Sequence, residues 1–370
     1  MKQYSNLAMF LNHISLQNFR SYSKSDFTFS PGTTLIVGAN TAGKTNLIEA
    51  IFSLSSGRSF HAEKDTEMIQ FDKSVARVKG EIGEGSGQIA LELVIAKDEL
   101  STDGHRGYSK KYKVNTVPKR RLDFAGQIKA LLFTPSDLDT IVGSPSLRRA
   151  FFDNVLELID REYRLAHTGY TKALRQRNAL LEQARETGRR NERLFEYWDD
   201  LLIGYGETIT RKRDEFSNFI NSTAKELIQF SFFYDKSTIS KARLLQYRDA
   251  ESGAGVTLVG PQRDEFEVLL KNGKEEHNVK LFGSRGQQRL VILQLKLLQL
   301  AYVARTGEKP LLLLDDIFSE LDTGHIQHVM DVINNQQTII TTTHKEFVDK
   351  KHLKDMSVIE LTQANGRVQP

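Results

Sequence analysis

Cysteine is absent from the 370-residue chain, which excludes disulfides, thiolate nucleophiles, zinc fingers and iron–sulfur ligation together. Such a chain suits the cytosol, and a cytoplasmic location is expected. Long apolar runs are missing too. The strongest, residues 290–304 and 311–314, are broken or bounded by Gln294, Lys296, Gln299 and Lys309, well short of the ~20 apolar residues that a spanning helix needs. No membrane anchor is expected, and residues 1–10 lack the basic start and apolar core of a secretory signal. Charge of one sign is also not in large excess. Lys plus Arg number 51 against 47 Asp plus Glu, so attraction to a polyanion has to come from local clusters.

With 39% hydrophobic and 26% charged residues, the chain has the make-up of a packed globular protein. Its length favours two domains, or one domain carrying a large insertion. Residues 10–19 and 27–29 alternate as strands do, Pro31-Gly32 turns the chain, and 33–37 reads as a buried strand. A glycine-rich loop follows, and then Leu47, Ile48, Ile51 and Phe52 at helical spacing. Residues 71–118 read as an antiparallel β patch. Residues 146–243 contain no proline and are rich in Leu, Glu, Arg and Gln at helical spacing. They are expected to form a helical insertion, either a protruding arm or a plain subdomain, with ends or bends at Gly188, Gly204 and Gly206. Strands are expected at 256–259, 266–270, 311–314 and 338–342, and a long helix from about Gln287. The fold class read from this order is α/β, a P-loop ATPase domain with an antiparallel patch. Its N-terminal part is 1–145, the helical insertion 146–243 and its C-terminal part 244–370.

Residues 38–45 satisfy G-x-x-x-x-G-K-[ST] between an apolar strand and a helix, the context this motif requires. In such a loop the backbone N–H groups turn toward phosphates, Lys44 supplies charge to the β- and γ-phosphates, and the Thr45 hydroxyl ligates magnesium. Thr41 is β-branched at an interior loop position that a smaller residue bends through more easily. Four leucines then lead into Asp315 and Asp316 at the end of a buried strand, where open α/β sheets bind ligands. Asp315 is expected to hold the magnesium, and Asp316 to orient or deprotonate an attacking water. Taken alone, the pair could equally open a turn. Ser284-Arg285-Gly286-Gln287-Gln288 precedes a very apolar helix. Ser284 and Gly286 there can donate to an anion, or Ser284 can be a simple N-cap. Further along come Ser319-Glu320-Leu321-Asp322 and, just after a strand, His344. His344 reads either as a γ-phosphate switch or as an exposed loop histidine.

Phosphate loop, long insertion, serine signature, paired acids, Ser-x-Leu-Asp and histidine, in that order, resemble ABC-type ATPases of the SMC class, and within them the RecF family. The residues that carry the likeness are 16–22, 43–51, 57–60, 133–138, 143–149, 176–181, 260–264, 283–289 and 312–322. The resemblance implies that ATP is sandwiched between two subunits. Gly38, Ala39, Asn40, Thr41, Ala42, Gly43, Lys44, Thr45 and Asn46 of one chain would face Ser284, Gly286 and Gln287 of the other, with Asp316, Lys44 and His344 catalytic and Mg2+ on Thr45 and Asp315. It also implies a weak DNA-dependent ATPase and an ATP-dependent homodimer that clamps double-stranded DNA near single-strand junctions. The implied partners are RecR and RecO, and indirectly RecA. The chain departs from the family pattern at Asn40-Thr41-Ala42, where Asn-Gly-Gln is more usual, and at His344, where RecF proteins frequently carry an acid.

The densest basic stretch is His105, Arg106, Lys110, Lys111, Lys113, Lys119, Arg120 and Arg121. On a hairpin it could neutralise phosphates without reading sequence, or be a solvated surface. DNA contact is expected from Lys110, Lys111, Lys113, Arg120, Arg121 and Arg148, with Arg149 beside it. The alternative reading is a nucleotide-switched protein-interaction module that never touches DNA.

Overall fold

The structure, a computed structural model, describes residues 10–83, 87–97, 108–272, 275–320, 336–344 and 353–362. The expected positions His105, Arg106, Leu321 and Asp322 lie outside the described residues. The chain divides into two compact units, residues 1–135 with 303–370, and residues 136–302.

In the first unit the buried strands pair side by side, with the largely exposed Ser357–Leu361 at one edge, because strands buried on both faces need no alternation. They form a parallel sheet in the order Ser357–Leu361, Thr33–Gly38, Thr338–Thr342, Leu311–Asp315, Ala130–Phe133. The alternating strands form a six-stranded antiparallel sheet ordered Tyr22–Thr28, Leu11–Phe19, Val75–Ile82, Ile89–Lys97, Tyr108–Val114, Val117–Lys119. Between the two sheets runs the helix Lys44–Ser56. Its Leu47, Ile48, Ile51 and Leu54 share one core with Leu16 and Phe19 of the antiparallel sheet and Ile36, Leu313 and Ile339 of the parallel one. Each such side chain contributes about 1.5–3 kcal/mol by leaving water. Asn115 and Thr116, at φ 48° and 70°, turn the last hairpin as a type I′ turn requires.

The second unit holds the helices Pro145–Ile159, Arg161–Thr187 and Glu192–Ser222, followed by the strands Phe230–Asp235, Glu265–Asn272 and Glu275–Asn278 and the helix Arg285–Ala304. It reaches past the expected boundary at 243 because Phe230–Asp235 pairs along its length with Glu265–Asn272. Phe151, Phe152, Phe216, Phe232 and Phe266 pack ring against ring at its centre. Residues 256–259, expected as a strand, form bends instead. Arg263 donates to the Thr257 carbonyl there and Leu258 N–H to Glu251, so side chains take the place of ladder partners. Gly188 ends its helix as expected, whereas Gly204 and Gly206 lie inside Glu192–Ser222. A Cβ on Gly206 would come within 2.5 Å of Ile239 Cγ2, so this glycine marks a close approach and not a bend. Among the described residues no helix is long and apolar enough to cross a membrane.

Candidate functional site

Parallel pairing puts the carboxyl ends of three adjacent strands on one edge, and it is this register that assembles the site. Gly38 ends one strand, Thr342 the next and Asp315 the third. The loop after Gly38 leads into a helix whose N-cap, Gly43, sits at φ 98° and supplies no side-chain cap. The first N–H groups of that helix are therefore left for an anion. Lys44 Nζ donates to the carbonyls of Gly38 at 2.8 Å and Ala39 at 3.0 Å. Burial lowers its pKa, and the charges of Asp316 and Asp315 oppose that shift. A buried ammonium held by two loop carbonyls is well prepared to receive phosphate oxygens. Thr41 adopts φ 71°, a left-handed conformation that is strained for a β-branched side chain.

Asp315 is buried, and its Oδ1 accepts from Thr341 Oγ1 at 2.6 Å. Asp316 is left-handed at φ 53°, and its N–H reaches Thr341 O at 3.2 Å and Oγ1 at 3.0 Å. Thr341 on the neighbouring strand thus orients both acids, a role that no spacing in the sequence announced. His344 follows the same strand with its side chain exposed, and its N–H donates to Thr342 Oγ1 at 3.3 Å. Thr45 is exposed at the helix start. Hydroxyl and carboxylate oxygens are the hard donors that magnesium prefers, and together with the uncapped helix start they fit a Mg2+–nucleotide. Bound there, the metal would neutralise phosphate charge. Lys44 would hold the terminal phosphates, and Asp316 would orient water.

The antiparallel sheet braces this loop. Tyr22 donates to the Gly43 carbonyl at 3.0 Å, and Asn46 Nδ2 donates to Ser21 Oγ at 2.8 Å. Burial pushes the Tyr22 phenol well up, so it stays a donor. Arg20 forks onto Glu49 with two bonds of 2.7 Å, and Glu49 is fully buried in the helix after the loop. The block at 16–22 was visible in the sequence, but this bracing role was not.

The signature belongs to the second unit. Ser284 Oγ accepts from Gln287 N at 3.2 Å, and Gln287 Oε1 accepts from Ser284 N at 2.9 Å, a reciprocal capping box. Ser284 is therefore an N-cap that keeps its own O–H free to donate. Ser284, Arg285, Gly286 and Gln287 are all exposed, and a Cβ on Gly286 would meet nothing nearer than 3.9 Å, leaving its backbone open to a ligand.

The basic residues scatter. Lys110 pairs with Asp65 and donates to Gly57 O, and Arg121 Nη1 donates to Ser56 O at 3.2 Å. Both cations serve the carboxyl end of the helix Lys44–Ser56, where positive charge is favoured, so each already has a partner within the fold. Arg148 is likewise engaged within the fold. It is 5% exposed, with Glu265 and the carbonyls of Ile141 and Gly143 taking its donors. Lys111 and Lys113 lie on the solvent face of the sheet, Lys119 is exposed at the end of its edge strand, and Arg120 is exposed just after it.

The sequence matches the RecF/RecN/SMC N-terminal domain family over residues 10–368. It is 33% identical to the DNA replication and repair protein RecF of Bacillus cereus (strain AH820), over 97% of this chain and 98% of that protein. RecF of Bacillus mycoides (strain KBAB4) is equally similar, at 33% over the same shares. A solved structure described as the recombination mediator protein RecF with ATP in the RecFOR pathway superposes with a TM-score of 0.85 at 28% identity. It covers 100% of this chain and 99% of that one. An Smc head bound to the C-terminal winged-helix domain of ScpA, at 17% identity, TM-score 0.50 and coverage of 97% and 96%, shares the fold.

Proposed function

Because the chain belongs to the RecF family, we propose that it is an ATP-dependent DNA replication and repair protein whose two copies close on duplex DNA near single-strand junctions. ATP with magnesium binds at the loop 38–46 with Thr45 and Asp315 on the metal. Ser284 and Gly286 of a second copy complete the site. Contacts that exist only in the dimer favour dimerisation by mass action. Asp316 then orients the attacking water and His344 senses the terminal phosphate, so that slow, DNA-dependent hydrolysis loosens the pair. RecR and RecO are the protein partners of this reading, with RecA downstream.

The observation that supports it most is that the parallel strands ending at Gly38 and Asp315 finish on one sheet edge, which puts the phosphate loop and the paired acids together, while the exposed Ser284 turn offers donors with no phosphate loop beside it in sequence. Sedimentation with and without ATP, magnesium and duplex DNA tests it. The native protein is expected to shift from monomer to dimer and to hold duplex more tightly. Lys44→Met should lose nucleotide binding, and Asp316→Asn should keep the dimer while turnover slows. A native protein that stays monomeric and holds DNA equally with and without ATP would overturn the clamp.

A further inference from the structure

Within residues 136–302 two arginines line one cavity beside a cluster of acids that other arginines already occupy. Asp153 and Asp264 are both taken by Arg213, at 2.7 Å each. Glu265 is taken by Arg148. Beside them Arg149 and Arg263 have no ion pair among the described residues and are anchored by carbonyls: Arg149 Nη1 on Asp264 O at 3.2 Å, and Arg263 Nη2 on Thr257 O at 3.0 Å. Both line one cavity of about 320 Å3 with Ser144, Ser146, Gln262 and the already paired Glu265. The Ser144 and Ser146 hydroxyls are 2.7 Å apart and exposed, and Gln262 Nε2 is held by Val259 O.

We propose that this cavity binds a backbone phosphate of the nucleic acid, with Arg149 and Arg263 as the charged donors and the hydrogen-bonded Ser144–Ser146 pair, which has one O–H to spare, as the neutral one. The inference rests on the DNA-binding reading above and adds a contact that the hairpin residues do not supply. Burial and the Arg213 charge lower the Arg149 pKa while Glu265, Asp153 and Asp264 oppose them, and the net lowering is a cost that an anion in the cavity offsets. Guanidinium forks with hydroxyls beside them are a common donor set for phosphate oxygens. The volume is about ten waters' worth, room for a phosphate with the sugar it carries. No base-reading arrangement accompanies it, so the contact is independent of sequence.

Fluorescence anisotropy of a labelled duplex, over a range of salt concentrations and with ATP present, tests the site in the full chain. Arg263→Gln is expected to weaken binding and to reduce the slope of log affinity against log salt by about 0.9, one phosphate contact. Ser146→Asp, at an exposed position that leaves the core untouched, should weaken binding further by placing a carboxylate in the cavity, and it keeps the test valid if the arginine variant does not fold. ATP affinity and melting midpoint of Ser146→Asp should match the native protein. Native protein that binds duplex with a salt slope and affinity unchanged by both substitutions would overturn the cavity alone, and would favour an acidic protein segment as its occupant. Native protein that binds no duplex would overturn the DNA reading itself.

Discussion

At the scale of single residues, Thr41 combines a sequence departure with a backbone cost. Its φ of 71° places a β-branched side chain in the left-handed region, which costs roughly 1–2 kcal/mol relative to glycine's freedom there. Glycine gives back about 0.5–1 kcal/mol through its more flexible unfolded chain. Thr41→Gly is therefore expected to stabilise the protein by about 0–1.5 kcal/mol, read as an equal or higher midpoint in urea. A midpoint below the native one would show that the loop bears no strain. This position was legible in advance, since β-branching and tight turns conflict wherever they meet. Arg148 was not. Whether an arginine at a helix start faces solvent or an acid 117 residues away depends on packing across the unit, and only the structure places Glu265 beside it.

At the scale of elements, the hairpin 108–119 divides its cations between two jobs. Residues facing inward support the helix after the phosphate loop: Lys110 and Tyr112 both donate to Gly57 O, and burial pushes the Tyr112 phenol up to about 12. Residues facing outward join a row set by strand register, in which Lys24 is opposite Gln17, Gln17 opposite Arg77, Arg77 opposite Val94 and Val94 opposite Lys111. The next row carries Lys79 and Lys113, which with Arg77 converge on the single carboxylate of Glu92. Changing Lys24 and Lys111 together to Gln should lower the salt slope of duplex binding by up to about 1.8, two phosphate contacts. Lys110→Gln should instead lower the melting midpoint and leave the slope alone. If Lys110→Gln moved the slope and the outer pair did not, the division of labour would be reversed. The sequence offered the strand and its charge density, and period-two alternation could have sorted Lys110 from Lys111. What it could not offer was Asp65 and the helix end as inward partners. Residues 256–259 failed for a related reason, because apolar residues beside glycine look alike whether their backbone pairs with a strand or with side chains.

At the scale of the whole molecule, the phosphate loop and acids are in one compact unit and the serine signature is in the other, so the central question is whether one chain or two complete a site. Shared sites make a quantitative demand on mixtures. Lys44→Met removes the loop's charge, and Ser284→Arg blocks the signature. If sites form across a two-fold pair, each variant alone has every site broken. A mixed pair has one site with both defects and one with neither, because the intact loop comes from the Ser284→Arg chain and the intact signature from the Lys44→Met chain. Random pairing of equal amounts then restores about a quarter of the native sites, rising toward about a half if ATP drives only mixed pairs together. DNA-stimulated phosphate release, measured for each variant and for the mixture, reads this directly. Recovery into that range requires sharing between chains. A mixture as inactive as its two components, with both variants folded by melting, would mean that no site is completed by a partner, and the clamp would have to close by some contact other than the nucleotide.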